Sequence, residues 1–262
     1  GTGAVARTMQ EKMRESVSVK DFGAIGDGTL HTVAEWIIPG ALGRYVSLAA
    51  LQVDYPHVTA TTDSIDWAAI QKTLDSGKKN ILLPEGKFRV NKQLTGNADY
   101  ITLYGTGRGG HLDGGSRLIC DAVGANVIYA KARYKLTFKG FRIETTGSRL
   151  NNDAFHLDGC VWAVFDSLHI HQMGRHGIYG TDTGTIYSGC YPVIINKCHI
   201  VGCVGDAVNI VGQSGLSQMN GIYISNCELQ ACDGSGVTVW GANVVVRDNI
   251  IEGNGGYAVK LA

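Results

Sequence analysis

The feature that most constrains this chain is a repeat. Segments beginning at Phe165, Ile195, Ile224 and Val246 align without gaps, at steps of 30, 29 and 22 residues. "INKCHIVGCVGDAVNI" lies over "ISNCELQACDGSGVTV", with cysteine over cysteine twice. Five positions into each copy stand Ile170, Ile200, Leu229 and Ile251; eight in, Met173, Cys203, Cys232 and Asn254; thirteen in, Ile178, Val208, Val237 and Val259. A looser copy starts at Phe138, with Phe141 and Ile143 in register and extra residues before "DAFHL".

Periods of this length indicate a solenoid, an array or a propeller. Each copy holds short runs of period-two alternation, such as Val208-Asn209-Ile210, separated by Gly, Asn and Asp. No copy has room for a helix, so one strand-turn-strand circuit per copy fits best. Stacked circuits make an all-β parallel β-helix with coils ~4.8 Å apart. Inward residues then pile on their own kind, and the Cys198/Cys227 and Cys203/Cys232 pairs read as core ladders of a small buried hydrophobe. Outward positions are free to vary.

Composition agrees and excludes other classes. There are 36 glycines and 4 prolines in 262 residues, with 44% hydrophobic residues, which suits many tight turns in a packed chain. Basic and acidic residues balance at 23 each, leaving no positive excess for nucleic acid. No apolar run reaches the ~18 residues of a membrane span, and the first fifteen residues lack the apolar core of a secretory signal. The seven cysteines are odd in number and their C-x4-C spacing does not suit a zinc site, so free thiols and no metal or cofactor are expected.

Ahead of the repeats, residues 4–16 read as a neck helix with a thin seam of Val5, Met9 and Met13. A second helix follows Asp63 or Ser64 as cap, with Trp67, Ile70 and Leu74 on its apolar face and Gly77 at its end. "NILLPEGKFRV" (80–90) reads as strand, turn, strand, and "YITLYGTGRGG" (100–110) as a strand with a Gly-rich turn that lacks a phosphate-loop Lys-Ser/Thr. The organisation expected is a neck over 1–22, a cap region with short helices over 23–79, and the β-helix over 80–262.

"VSVKDFGAIGDG", "TDSIDWAAIQKTLDSG", "ILLPEGKFRV" and "ITLYGTGRGG" together resemble the opening region of the pectate-lyase-like β-helix family. "TGAVARTMQEKMRESVSVKDFGA" resembles the neck that joins an anchor domain to the right-handed β-helix of bacteriophage tailspikes, and "SLAALQVDYPHVTATTDSIDWAAIQ" is tailspike-like as well. The resemblance implies a homotrimeric virion protein, assembled in the host cytoplasm and acting outside it. It would attach to the phage tail or an anchor domain through its neck. Its target would be a bacterial surface polysaccharide, capsule or O-antigen, which it binds and depolymerises. The pattern stops at "GGYAVKLA" within a repeat, so a fragment with coils missing on the C-terminal side is expected.

Chemistry is sought where the columns vary. Eleven positions into the copies stand His176, Asp206, Ser235 and Tyr257, with Asp153 in the looser copy. Three further on come His156, Tyr179, Asn209, Thr238 and Lys260, alternating with the buried column and so expected to face solvent. Asp153 and Asp206 fall two coils apart, which sets their backbones ~9–10 Å apart. Inverting glycosidases hold two carboxyl groups ~6.5–9.5 Å apart, one as acid and one as base. Asp153 and Asp206 are therefore the catalytic candidates, with His156, His176, Tyr179, Asn209 and Arg175 as glycan-binding candidates. The competing reading is that these Asp residues bond backbone N–H groups at turns. A lyase would instead use His156 or Tyr179 as base with Arg175 neutralising a uronate, and a non-catalytic adhesin is the third reading. A rival face carries Arg142, His169, His199 and Glu228, flanked by His171 and Glu144. Its stacked histidines lack a third metal ligand, which favours a solvated or subunit-facing surface.

Overall fold

The computed structural model describes residues 8, 15–109, 114–122, 124–146, 151–184, 186–187, 189–212 and 219–261. The helix expected over 4–16 lies outside them but for Thr8, Glu15 and Ser16. Among the described residues the chain winds into three parallel sheets of eight, seven and seven strands. Sheet I runs from Val17–Ser18 through Asn80–Leu83 and Val161–Asp166 to Ala242–Arg247; sheet II from Gly86–Val90 through His169–His171 to Ile250–Glu252; sheet III from Leu94–Thr95 through Phe155–Asp158 to Val259–Leu261. Each circuit visits I, II and III in turn, which is a parallel β-helix.

The repeat columns are the register. Phe165 pairs with Ile195, Ile195 with Ile224, and Ile224 with Val246 in sheet I. Ile170, Ile200, Leu229 and Ile251 pair successively in sheet II, and Ile178, Val208, Val237 and Val259 in sheet III. Inward residues of the upper coils are almost wholly buried, and all seven cysteines are free and buried among them. Phe138, Phe155 and Phe165 pack ring to ring within 5.6 Å in the tube. Period-two alternation locks this arrangement: a one-residue slip would turn Ile200 out and His199 in.

Corners recur at fixed repeat positions because they need a left-handed backbone. Between sheets I and II it is Gly140, Ser167, Lys197, Asn226 and Asp248, with φ from 53° to 69°. Between II and III it is Gln172, Gly202, Ala231 and Gly253, with φ from 50° to 72°. Such residues turn the chain without a long loop.

The first coil is covered by helix. Helix α1 (Leu48–Asp54) is capped by the Ser47 hydroxyl, and α2 (Ile65–Asp75) by that of Ser64, which accepts from Trp67 N at 3.2 Å. Ser64, not Asp63, is therefore the cap; the Asp63 carboxylate instead accepts from the Thr59 and Ala60 amides. Trp67, Ile70 and Leu74 bury as expected, and Gly77 follows with φ 76°. Buried Asp66 accepts from the amides of Ile25, Gly26 and Arg89, tying this cover to the first coil. Helix α1 escaped the sequence reading because its seven residues bury only Leu51 and so show no period. The two strands of "NILLPEGKFRV" belong to sheets I and II, a corner and not a hairpin.

Candidate functional site

The face of sheet III is built by four successive coils. His156 pairs with Tyr179 and Tyr179 with Asn209, and Tyr129 of the preceding coil pairs with His156. The rings form one file: Tyr129 to His156 centroids are 5.2 Å apart, and His156 to Tyr179 are 4.8 Å, both edge-on. His176 stacks on Tyr179 at 5.3 Å with 20° between planes, and the Arg175 guanidinium lies 5.3 Å over the same ring. All seven candidates of the sequence reading thus gather on this side of the tube.

The column containing Asp153 and Asp206 has a structural use. Its side chains each accept a hydrogen bond from the backbone N–H of the next column member. Asp153 N donates to Asn126 Oδ1 at 3.4 Å, His176 N to Asp153 Oδ1 at 2.9 Å, and Asp206 N to His176 Nδ1 at 2.9 Å. Ser235 N donates to Asp206 Oδ1 at 2.6 Å and Tyr257 N to Ser235 Oγ at 3.2 Å. Five rungs stitch six coils. This explains why the column varies: Asn, Asp, His and Ser share only the ability to accept. It also fixes the His176 tautomer, since Nδ1 accepts and Nε2 must carry the proton when the ring is neutral.

The two carboxylates therefore differ. Asp153 is 0% exposed, its Oδ2 has no hydrogen-bond partner, and it lies 3.8 Å from His156 Nδ1, with Arg175 Nε 3.7 Å from Oδ1. The expectation of a solvent-facing carboxylate pair is corrected here: Asp153 is sealed beneath His156. Asp206 is half-buried, and its second oxygen accepts from Asn209 Nδ2 at 2.6 Å. The neighbouring column is also less open than expected. His156, Tyr179 and Asn209 are half-buried and Thr238 is only 7% exposed; the His156 ring is covered edge-on by those of Tyr129 and Tyr179. Burial lowers the His156 and His176 pKa values against the opposing pull of Asp153, so both rings are held toward the neutral form.

Sequence reasoning missed Asn126 and Tyr129. The signal was present, since "NVIYAK" lies over "DAFHLD" once the repeat is carried one coil further up. It also missed a polar cluster at the other strand end. Buried Asp158 accepts from Lys131 Nζ at 3.0 Å, from Thr183 N at 2.8 Å and from Thr183 Oγ1 at 2.5 Å.

On sheet II, Arg142, His169, His199 and Glu228 stack in register. Glu144 Oε2 lies 2.5 Å from Arg142 Nε, and the His169 and His199 rings are parallel within 15° at 4.6 Å. Among the described residues, no group of three or more His, Cys, Asp and Glu is arranged to hold a metal ion.

The fold defines the class: a right-handed parallel β-helix. The family model described as "Right handed beta helix region" matches residues 153–262. A search of curated proteins by sequence returns no match. Among solved structures, the chain is similar to the Agl-KA catalytic domain, with TM-score 0.60 and 18% identity over 96% of this chain and 38% of that one. It is similar to the catalytic unit of an α-1,3-glucanase from Streptomyces thermodiastaticus, with TM-score 0.55 and 14% identity over 98% and 43% of the two chains. It is also similar to ORF18 of Geobacillus virus E2, with TM-score 0.52 and 14% identity over 96% and 54%. The chain spans about half or less of each of these proteins. At these identities the likeness is one of fold.

Proposed function

We propose that this chain is the glycan-binding and glycan-cleaving part of a phage tailspike, acting on a bacterial surface polysaccharide by hydrolysis. The observation that carries the reading is the file of Tyr129, His156 and Tyr179 along three coils, with Arg175 over Tyr179 and the half-buried Asp206 beside it. Pyranose faces stack on such rings, and an elongated file suits a polymer better than a monosaccharide. Folds similar to that of an α-1,3-glucanase and of a viral protein support it, although fold alone does not assign an activity.

In this reading Asp206 is the general acid: its carboxyl O–H gives its proton to the departing glycosidic oxygen as the bond from that oxygen to the anomeric carbon breaks and water bonds to the carbon. His156, held toward neutrality, takes the proton of the attacking water. Asp153 acts from behind His156 as a positioning residue: its charge opposes the effect of burial on the imidazole. His176, Asn209 and Arg175 hold the sugar. The lyase alternative draws on the same Arg175–Tyr179 pair, with Arg175 as the partner of a uronate.

The test is incubation of the protein with a panel of capsular and O-antigen polysaccharides. Release of reducing ends without ultraviolet absorbance supports hydrolysis, and an absorbing unsaturated uronate favours the lyase. Binding with no new ends would reduce the site to an adhesin. No binding to any member of a panel that includes the native host's glycan would overturn the reading.

A further inference from the structure

A second concave surface lies along the corner between sheets I and II. This groove of ≈ 450 Å³ is lined by Arg108, Gly140, Ser167, Lys197, Asn226 and Glu228, among others. It exists because the corners differ in length. From Gly140 onward each corner turns on one left-handed residue, whereas a longer loop joins Thr102–Gly105 to Ser116–Cys120. Arg108 reaches the later corners: its Nη1 donates to the Lys197 carbonyl at 3.3 Å, 89 residues away in sequence. Gly140 N bonds Asp166 O, Ser167 N bonds Asn196 O and Lys197 N bonds Ser225 O, so the corners are stacked rungs. Small residues at 140 and 167 leave the trench that Arg108 spans. From Gly140 to Asn226 the floor climbs three coils, or ~14 Å at the usual inter-strand spacing.

The charges in and beside this trench do not cancel. Glu144 is held between Arg142, at 2.5 Å, and Arg117, at 3.9 Å. Among the described residues, neither Arg108 nor Lys197 has a carboxylate within ion-pair distance. Glu228 sits at the far end, 3.9 Å from His199 Nε2.

We propose that this groove is a second saccharide site, for an acidic oligosaccharide whose carboxylate lies between Arg108 and Lys197 and whose hydroxyls meet Asn226 and Glu228. Cations at one end and a carboxylate with an amide at the other match a sugar acid, which carries an anion and hydroxyl donors together. An inorganic anion uses only the cationic end. None of these residues belongs to the face of sheet III, so the two sites stand or fall separately.

Calorimetry at low ionic strength with trigalacturonate, maltotriose and inorganic phosphate tests this. Trigalacturonate is expected to bind, with maltotriose and phosphate at least tenfold weaker. Arg108→Gln combined with Lys197→Asn should weaken trigalacturonate at least tenfold, since Asn tolerates the left-handed backbone at 197 and keeps the corner intact. Glu228→Gln should weaken it less, and Lys78→Gln, which removes an exposed cation outside both surfaces, should leave it unchanged, which separates this groove from a general loss of positive charge. Absent trigalacturonate binding, phosphate binding as tightly, or an unchanged affinity in the folded double variant would each overturn the proposal.

Discussion

Removing the carboxylate of Asp206 tests whether the polar column is a coil-to-coil ladder. In Asp206→Ala, the Ser235 amide loses its 2.6 Å acceptor, and Ser235 is only 6% exposed. A hydrogen bond to a charged group contributes about 1.5–3 kcal/mol. Asn209 also loses its 2.6 Å partner, but it is half-buried and can turn to water, which adds roughly 0.5 kcal/mol. The expected loss is about 2–3 kcal/mol, a fall in Tm of roughly 5–10 °C for a chain of this size. Asp206→Asn keeps an acceptor oxygen for Ser235 and should cost under about 1 kcal/mol. Urea unfolding followed by far-ultraviolet circular dichroism reads the totals, and amide exchange at Ser235 locates the effect. A loss below about 0.5 kcal/mol in Asp206→Ala, or an equal loss in Asp206→Asn, would refute the ladder. The pair also separates scaffold from chemistry: Asp206→Asn should fold and lose glycan cleavage.

Other outcomes follow from burial and titration. Burial and the neighbouring Arg142 hold His169 at about 3 in the folded chain against its ordinary value of 6.5, so the unfolded chain takes up its proton first as pH falls. Its contribution is whole above the unfolded value and shrinks between the two; at pH 5 the loss is about 1–2 kcal/mol, and His156 and His176 act in the same direction. Unfolding free energies measured from pH 7.5 to pH 5 should fall accordingly, and a flat profile would contradict the buried neutral imidazoles. All seven cysteines are free and buried, and burial pushes the Cys120 and Cys160 thiols up to about 11; because none is accessible, an aromatic disulfide reagent should find none reactive until the protein unfolds. Gly177→Ala would set a Cβ 2.6 Å from the Ala207 carbonyl and from Ile200 Cγ2, and should destabilise by about 1–3 kcal/mol in the same urea assay.

The fold was legible because side-chain period and coil height coincide. A column such as Ile170, Ile200, Leu229 and Ile251 must be apolar in every copy, so register could be read from the letters alone. The site was half legible for the same reason. Variation at His176, Asp206 and Ser235 marked them as outward or polar, but a rung needing any acceptor varies as freely as a catalytic surface does. Distinguishing the two required knowing which oxygens of Asp153 and Asp206 were already committed. The Arg108 groove was not legible at all, because it depends on Arg108 reaching the Lys197 carbonyl, 89 residues downstream.

The sheet III ring file is tested most directly by Tyr179→Ala, assayed for cleavage of the surface polysaccharide that the unaltered protein degrades. Tyr179 makes no coil-stitching rung, so the variant should melt within a few degrees of the parent while glycan cleavage falls by at least a hundredfold. Unchanged cleavage in a well-folded Tyr179→Ala protein would show that sugar is handled elsewhere on the molecule.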